Sequence, residues 1–181
     1  NGNAIGRIFE VAGGKTVVLD SLTLTNGRVS GIGGAILNAG MLTVNRCTLV
    51  GNYATAYGGA IETDGALTVN QCTLTANFCA RGGGGAIDVN SGTLAVDQST
   101  VVQNVTPDSF GAGGIFVYGG SATINNSIVA GNVASVNTNL AGAIAATGVN
   151  LTNGFPLLAP LGNYGGPTPT MPPLPGSPAI D

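Results

Sequence analysis

The sequence repeats one glycine-containing phrase at nearly constant spacing. Gly-Gly-Ala-Ile occurs at 33–36, 58–61 and 84–87, and a looser Gly-Gly-Ile-Phe occurs at 113–116, with steps of 25, 26 and 29 residues. Self-similarity with a period of 20–50 residues is typical of solenoids, in which each repeat packs only on its neighbours. A second phrase ends each repeat with an asparagine, so we expect these side chains to stack at one corner: Asn52, Asn77, Asn104 and Asn132.

Each repeat contains three short runs of alternating apolar residues bounded by turn-forming residues. In the second full repeat, Ile61 and Thr63 alternate with Glu62 and Asp64. Alternation predicts strands, and the abundant Gly and Thr argue against helices. Three strands per 25–29 residues predict an all-β, right-handed parallel β-helix with coils about 4.8 Å apart. Equivalent apolar residues should stack inside it: Ile36, Ile61 and Ile87; Leu42, Leu67 and Leu94; Leu49, Leu74 and Val101.

The proline distribution predicts two parts of the chain. Residues 1–151 should form five to six coils, beginning with an incomplete coil over residues 1–27. The insertions that lengthen the later repeats fall at 81–83, 90–93 and 106–112. Eight of the nine prolines lie between Pro156 and Pro178. Proline cannot donate to a sheet ladder, so residues 152–181 are expected to wrap along the side of the β-helix.

The low charge limits the partners of this chain. Charged residues make up 7 % of the sequence and the net charge is −3, so no basic stripe is available for nucleic acid. No apolar run approaches the roughly 18 residues of a membrane span. The chain begins at Asn1 without a charged and apolar leader, and we interpret it as a mature or trimmed form.

Two parts of the sequence resemble known families. The Gly-Gly-Ala-Ile phrase with its following asparagine phrase is similar to the repeats of polymorphic outer membrane proteins, although Leu or Val stands where that family usually has Phe. The stretches 160–170 and 174–181 resemble the closing segment of secreted bacterial proteins with a choice-of-anchor Q domain. These resemblances imply an exported bacterial β-helix, extracellular or at the cell surface. They imply no catalytic residues.

The residue types argue against an enzyme. The chain has no His, and its five basic residues are scattered over different coils. Polysaccharide lyases that share this fold class need a basic residue facing a carboxylate cluster, usually with calcium. We therefore predict no catalytic residues and no cofactor-binding residues.

One group of acidic residues is a candidate metal site. Glu62 and Asp88 occupy equivalent outward positions on adjacent coils, with Asp64 and Asn90 two residues further along. Stacked carboxylates about 5 Å apart suit a glycosidase pair or a hard cation such as calcium. The favoured interpretation is that they are solvated surface acids whose repulsion is screened; a weak calcium site is the alternative.

An outward Thr/Val ladder runs along another face. Such a flat surface could order water, as in ice-binding proteins, or pack against another copy of the chain. β-Branched residues also simply suit strands, and this interpretation is favoured. The ladder contains Thr23, Thr48, Thr73 and Thr100, with Thr25, Val50, Thr75 and Val102 beside them.

The cysteines are too few for a disulfide framework. Cys47 and Cys72 fall at the same point of successive coils, and we interpret them as small buried side chains rather than a disulfide. Cys79 is interpreted as a lone thiol in a turn.

The leading functional hypothesis is a non-catalytic extracellular structural protein. It would be a rigid rod that assembles with itself end to end into a fibre or surface layer, or acts as an adhesin. The alternative is a β-helix that binds or cleaves polysaccharide, since Tyr53 and Tyr57 lie one corner before Glu62. Ice binding through the Thr/Val ladder is the third.

Overall fold

The computed structural model describes residues 1–180 as a parallel β-solenoid of about six coils. Four strands per coil stack into four parallel sheets, which we name A, B, C and D. Sheet A contains β1 (Phe9–Val11), β5 (Ile36–Asn38), β9 (Ile61–Thr63), β13 (Ile87–Val89), β17 (Ile115–Val117) and β21 (Leu140–Ala141). Sheet B contains β2 (Thr16–Asp20), β6 (Met41–Asn45), β10 (Ala66–Asn70), β14 (Thr93–Asp97), β18 (Ser121–Asn125) and β22 (Ile144–Thr147).

Two five-stranded sheets complete the coils. Sheet C contains β3 (Thr23–Thr25), β7 (Thr48–Val50), β11 (Thr73–Thr75), β15 (Thr100–Val102) and β19 (Ile128–Ala130). Sheet D contains β4 (Arg28–Val29), β8 (Tyr53–Ala54), β12 (Phe78–Cys79), β16 (Val105–Thr106) and β20 (Val133–Ala134). The sequence predicted three strands per coil, and this was wrong. The fourth strand has only two residues, which is too short to show alternation.

The strand register agrees with the repeat spacing. Ile61 pairs with Ile36 on one side and with Ile87 on the other. Leu67 pairs in the same way with Leu42 and Leu94. All of these side chains lie in the buried apolar core, so the expected inward stacks are confirmed. In-register stacking leaves each apolar side chain on an equivalent one from the next coil, which excludes water from the interior.

The paired glycines allow the coils to turn and approach closely. Gly58 has a φ of +63°, a conformation that side chains rarely adopt. A Cβ atom on the next residue, Gly59, would clash with the carbonyl oxygen of Gly85 in the neighbouring coil. The repeated phrase is therefore required by the backbone of the corner between sheets D and A.

The asparagines stack as predicted. The side-chain NH2 group of Asn52 donates to Oδ1 of Asn77 at 2.9 Å. The NH2 group of Asn77 donates in the same way to Asn104, and that of Asn104 to Asn132, each also at 2.9 Å. Each oxygen also accepts the backbone N–H of the preceding asparagine in the stack. This ladder satisfies buried polar groups at the corner between sheets C and D.

The three cysteines are free and buried. Cys47 and Cys72 stack in the core, where the Cys47 N–H donates to the Cys72 sulfur at 3.3 Å. The sequence suggested that Cys79 lies in a turn, but Cys79 is the last residue of strand β12. Burial raises the pKa of its thiol to about 12.

Residues 152–180, which we call the tail, lie against the outer face of sheet C. The Thr48 hydroxyl donates to the carbonyl of Pro169, and the hydroxyls of Thr73 and Thr170 are 3.3 Å apart. Two antiparallel bridges fold the tail on itself, at Leu158–Pro173 and Gly162–Thr170. Asp181, the last residue of the tail predicted from the sequence, lies outside the described residues.

The tail changes the environment of the Thr/Val ladder. Thr48, Thr73, Thr75 and Val102 are buried. The prediction of an open, flat face is therefore wrong for this part of the ladder, because the tail packs on it. The ice-binding hypothesis required an open Thr/Val surface, and the buried part of the ladder does not provide one.

Candidate functional site

The outer face of sheet A contains the acidic residues singled out in the sequence. Its outward positions form one column across the six strands, in the order Glu10, Leu37, Glu62, Asp88, Phe116 and Ala141. Glu62 and Asp88 are direct partners in the register of β9 and β13. The two carboxylates therefore belong to adjacent coils, as predicted.

Both carboxyl groups of this pair are buried. Glu62 and Asp88 are each 2 % exposed, so the interpretation as solvated surface acids is wrong. Sequence parity correctly placed them on the outer face of sheet A, but this face is covered where they lie, and at Asp88 the covering residues include Gly83 and Gly84. We call Glu62 and Asp88 the acidic pair.

Burial makes the acidic pair hard to ionise. The pKa of Glu62 is raised to about 7, chiefly by burial and to a smaller extent by the negative charges of Asp64 and Asp88. The positive charge of Arg7 lowers this pKa. Burial and the charge of Asp64 raise the pKa of Asp88 to about 7, although a hydrogen bond from the Gly84 N–H opposes this. Near neutral pH both groups are thus close to their titration midpoints.

The other two candidate ligands are placed differently. The Asn90 amide donates to Oδ1 of Asp64 at 2.7 Å, and the Ser91 hydroxyl donates to the same oxygen at 3.1 Å. Asp64 is exposed, and its Oδ1 accepts both of these hydrogen bonds. In the part of the chain described, no group of three or more His, Cys, Asp or Glu side chains is arranged to hold a metal ion. The four predicted ligands therefore do not form one coordination shell.

Aromatic rings surround the carboxylate of Asp88. A pocket of about 180 Å³ is lined by Tyr57, Asp88, Asn90, Phe110, Phe116 and Tyr118. We call it the sheet A pocket. The ring of Phe110 meets that of Phe116 edge-on, with centroids 5.1 Å apart, and meets that of Tyr118 in the same way at 6.0 Å. Phe110 and Tyr118 are 48 % and 67 % exposed, so both present ring surface to solvent.

A glycine holds the covering loop against the acidic pair. The N–H of Gly84 donates to Oδ1 of Asp88 at 3.1 Å. A Cβ atom on Gly83, which has a φ of +69°, would lie 2.6 Å from the same oxygen and 2.9 Å from the ring of Tyr57. Only glycine allows the loop to pass this close to the carboxylate.

The sequence identified the acidic residues of this site but missed most of its aromatic residues. Phe116 could have been found, because it lies in register with Asp88. Tyr118 follows β17 at the position that Asn90 holds after β13, so it too could have been found from the register. Phe110 lies in the insertion at 106–112, which has no equivalent in the earlier repeats. Of the two tyrosines proposed from sequence, Tyr57 lines the pocket. Tyr53 instead lies in sheet D, where its ring stacks on Phe78 and beneath the guanidinium of Arg28.

The fold and the pocket define a parallel β-solenoid with an acidic and aromatic site on its side. Comparisons with protein-family models, with curated proteins and with solved structures found no match. Residues 1–180 contain no helix of the length and apolarity needed to cross a membrane.

Proposed function

We propose that this protein is a non-catalytic, adhesin-like scaffold that binds a saccharide in the sheet A pocket. The solenoid supplies a rigid rod, and the pocket supplies a ligand site on its side. This proposal combines the structural and the polysaccharide-binding hypotheses, which the sequence left as separate alternatives.

The observation on which the proposal rests is the convergence of three insertions on one pocket. Asn90, at the start of the insertion at 90–93, and Phe110, from that at 106–112, line the pocket. Gly83, from the insertion at 81–83, lies against Asp88 and Tyr57, which are two other lining residues. In solenoids, insertions into individual repeats map to loops on one face, which is often the binding face. Structural coils alone give no reason for three successive insertions to meet.

The chemistry of the pocket suits a sugar. The exposed rings of Phe110 and Tyr118 provide apolar surface, and Asp88 and Asn90 provide hydrogen-bonding groups in the lining of the pocket. Pockets with mostly apolar walls and a few converging polar groups are the usual form of small-molecule sites. The pocket is smaller than the roughly 300–1,000 Å³ of sites for drug-sized ligands, so we expect it to hold a single sugar unit of a longer chain.

The arrangement favours binding over cleavage. A glycosidase needs two carboxyl groups that flank the scissile bond. Asp88 lines the pocket, whereas Glu62 is not among its lining residues. Among residues 1–180, Asp88 is therefore the single carboxyl group in the lining of the pocket.

An extracellular or cell-surface location in a bacterium is part of the proposal. It is supported by the resemblance of the repeats to those of polymorphic outer membrane proteins and of the C-terminal stretch to the choice-of-anchor Q segment. The low content of charged residues is consistent with a protein that works on a surface.

The test is a screen of immobilised glycans, followed by titration of the oligosaccharides that bind. We expect Phe110→Ala and Tyr118→Ala each to weaken binding at least tenfold without lowering the melting temperature much, since both rings are exposed. Tyr164→Ala, which removes an exposed ring from the tail, is the matched control. Failure to bind any glycan, or equal binding by all three variants and the wild type, would refute the proposal. Release of reducing ends during incubation would refute its non-catalytic part.

End-to-end self-assembly is a second candidate function. Strands β1–β4 are the outermost strands at one end of the four sheets and β19–β22 at the other. Leu151 bridges Ile128 of β19, and Gly2 donates to Thr25 of β3; the backbone groups that stay unpaired at these edges favour strand pairing between copies. Light scattering and electron microscopy at high concentration should show filaments. Ala145→Lys in β22 should suppress them, because charge on an edge strand opposes pairing. A strict monomer at all concentrations would exclude this function.

A further inference from the structure

The acidic pair has no ion-pair partner within the described residues, although the charge of Arg7 partly opposes the rise in the pKa of Glu62. The ion pairs found there join Arg7 to Glu10 and Arg46 to Asp20. Arg7 also donates to the carbonyls of Ile32 and Gly33, so its guanidinium is committed elsewhere. Burying carboxylates without a partner cation is costly.

Hydrogen bonding also leaves part of the acidic pair unsatisfied. Oε2 of Glu62 is fully buried and has no hydrogen-bond partner. In Asp88, Oδ1 accepts the Gly84 N–H, and no hydrogen bond to Oδ2 is formed by the described residues. Buried polar atoms in native proteins normally have partners. Asp88 is the member of the acidic pair that lines the pocket, so its Oδ2 is the oxygen that a donor in the pocket would satisfy.

The aromatic residues that line the pocket favour one chemical class of donor. Tyr57, Phe110, Phe116 and Tyr118 line the same pocket as Asp88. Aromatic faces attract ammonium groups through their quadrupoles, and a carboxylate at the base of the pocket adds an ionic hydrogen bond. A neutral sugar would use the aromatic faces, but it would leave the acidic pair without a counter-charge.

We propose that the sheet A pocket binds the protonated amino group of an amino-sugar unit, with Asp88 as its direct ion-pair partner and Glu62 supporting it from the adjacent strand. This inference rests on the proposed saccharide binding and adds the class of sugar. It predicts discrimination between a free amino group and its N-acetylated form, which has the same ring but no charge.

Binding should be linked to proton release. The carboxyl group of Asp88 must be ionised to pair with the ammonium group, and burial raises its pKa to about 7 in the free protein. Affinity for a cation of fixed charge should therefore rise as the pH increases from 5.5 to 7.5. The titratable groups that influence the acidic pair are Arg7, Asp64 and Cys79, with Tyr57 and Tyr118 in the pocket walls.

The experiment uses three probes on the full chain. These are a glucosamine trimer, the corresponding N-acetylated trimer, and tetramethylammonium, whose charge does not titrate. At pH 6.5 we expect the glucosamine trimer to bind at least tenfold more tightly than the acetylated trimer. Tetramethylammonium binding should strengthen severalfold from pH 5.5 to 7.5.

Asp88→Asn tests the ion pair directly. It keeps the shape of the side chain, and we expect it to remove the preference for the free amino group. Asp97→Asn, which alters a carboxylate on sheet B that accepts from Asn125, is the matched control and should change nothing. If Asp88→Asn does not fold, the comparison of the two trimers decides the inference alone.

The outcomes separate this inference from the proposed function. Equal binding of both trimers would overturn the inference and leave saccharide binding intact. Binding of calcium in place of tetramethylammonium would also overturn it. If neither trimer binds and the glycan screen is negative as well, both proposals fail.

Discussion

Asp88 lies beside Glu62 on the adjacent strand of sheet A, and the two carboxyl groups are buried together without an ion-pair partner in residues 1–180. This relationship is unusual, because stacked acids on the outside of a solenoid could be expected to remain in water. The buried pair links the stability of the coil to the candidate function. Ionising these carboxyl groups is costly in the free protein, and a bound cationic ligand would stabilise their ionised form.

The acidic pair should make the protein less stable as pH rises from about 4 to above 7. In the folded protein the pKa values of Glu62 and Asp88 are raised to about 7, whereas Asp and Glu in an unfolded chain have pKa values of about 4. The folded protein therefore binds more protons in this window, and the stability present at low pH is lost as the carboxyls ionise. Each group could contribute up to roughly 4 kcal/mol, since the two pKa values differ by about 3 and each pKa unit corresponds to about 1.4 kcal/mol.

Melting temperatures measured from pH 4.5 to 8 check this prediction. Glu62→Gln and Asp88→Asn should each reduce the decrease in melting temperature relative to wild type, and Asp97→Asn should not. Identical pH profiles for the wild type and both pair variants would contradict it.

The asparagine ladder should contribute strongly to stability. Asn77→Ala removes an amide that donates to the Leu49 carbonyl and to Asn104, and an oxygen that accepts from Asn52. Leaving these buried partners unsatisfied should cost about 3 kcal/mol. Chemical denaturation measures the loss. Asn70→Ala, at a half-buried position in β10, should cost less than about 1 kcal/mol; equal losses for the two variants would disprove the role of the ladder.

The tail should be held to sheet C by apolar packing as well as by hydrogen bonds. The two methionines offer a matched comparison, since Met171 is 5 % exposed in the tail and Met41 is 56 % exposed in β6. Met171→Ala should weaken docking of the tail by about 2–4 kcal/mol, in line with other buried truncations. Limited proteolysis followed by mass spectrometry should then show faster cleavage within 152–180. Met41→Ala should leave the cleavage rate unchanged, and a similar rate in both variants would contradict the packing described here.

The three thiols should be unreactive in the folded protein because a reagent cannot reach buried sulfur atoms, even though the hydrogen bond with Cys72 lowers the pKa of Cys47 to about 7. All are buried, and burial raises the pKa of Cys79 to about 12, so little of its reactive thiolate is present at pH 8. A thiol reagent at pH 8 should modify fewer than one cysteine per molecule within minutes, but all three in denaturant. Rapid labelling of Cys79 under native conditions would show that the corner around it opens readily.

The sequence alone determined the solenoid, its register and the asparagine stack, because each follows from spacing. Residues such as Ile36 and Ile61 recur at the coil length, and parallel pairing then places them on one another. The sequence did not show the fourth strand of each coil, because two residues cannot display alternation.

The tertiary structure decided which outward residues meet water. Thr48 and Thr73 point away from the coil, as parity requires, but the tail packs on them. Glu62 and Asp88 also lie on the outer face of sheet A, yet both are buried. The loop at Gly83 and Gly84 contacts Asp88, and four aromatic residues line the pocket beside it. Strand periodicity specifies the side of the sheet on which a residue lies. Whether that side is open depends on segments outside the repeat, whose course is set by long-range packing and is not written in the local pattern.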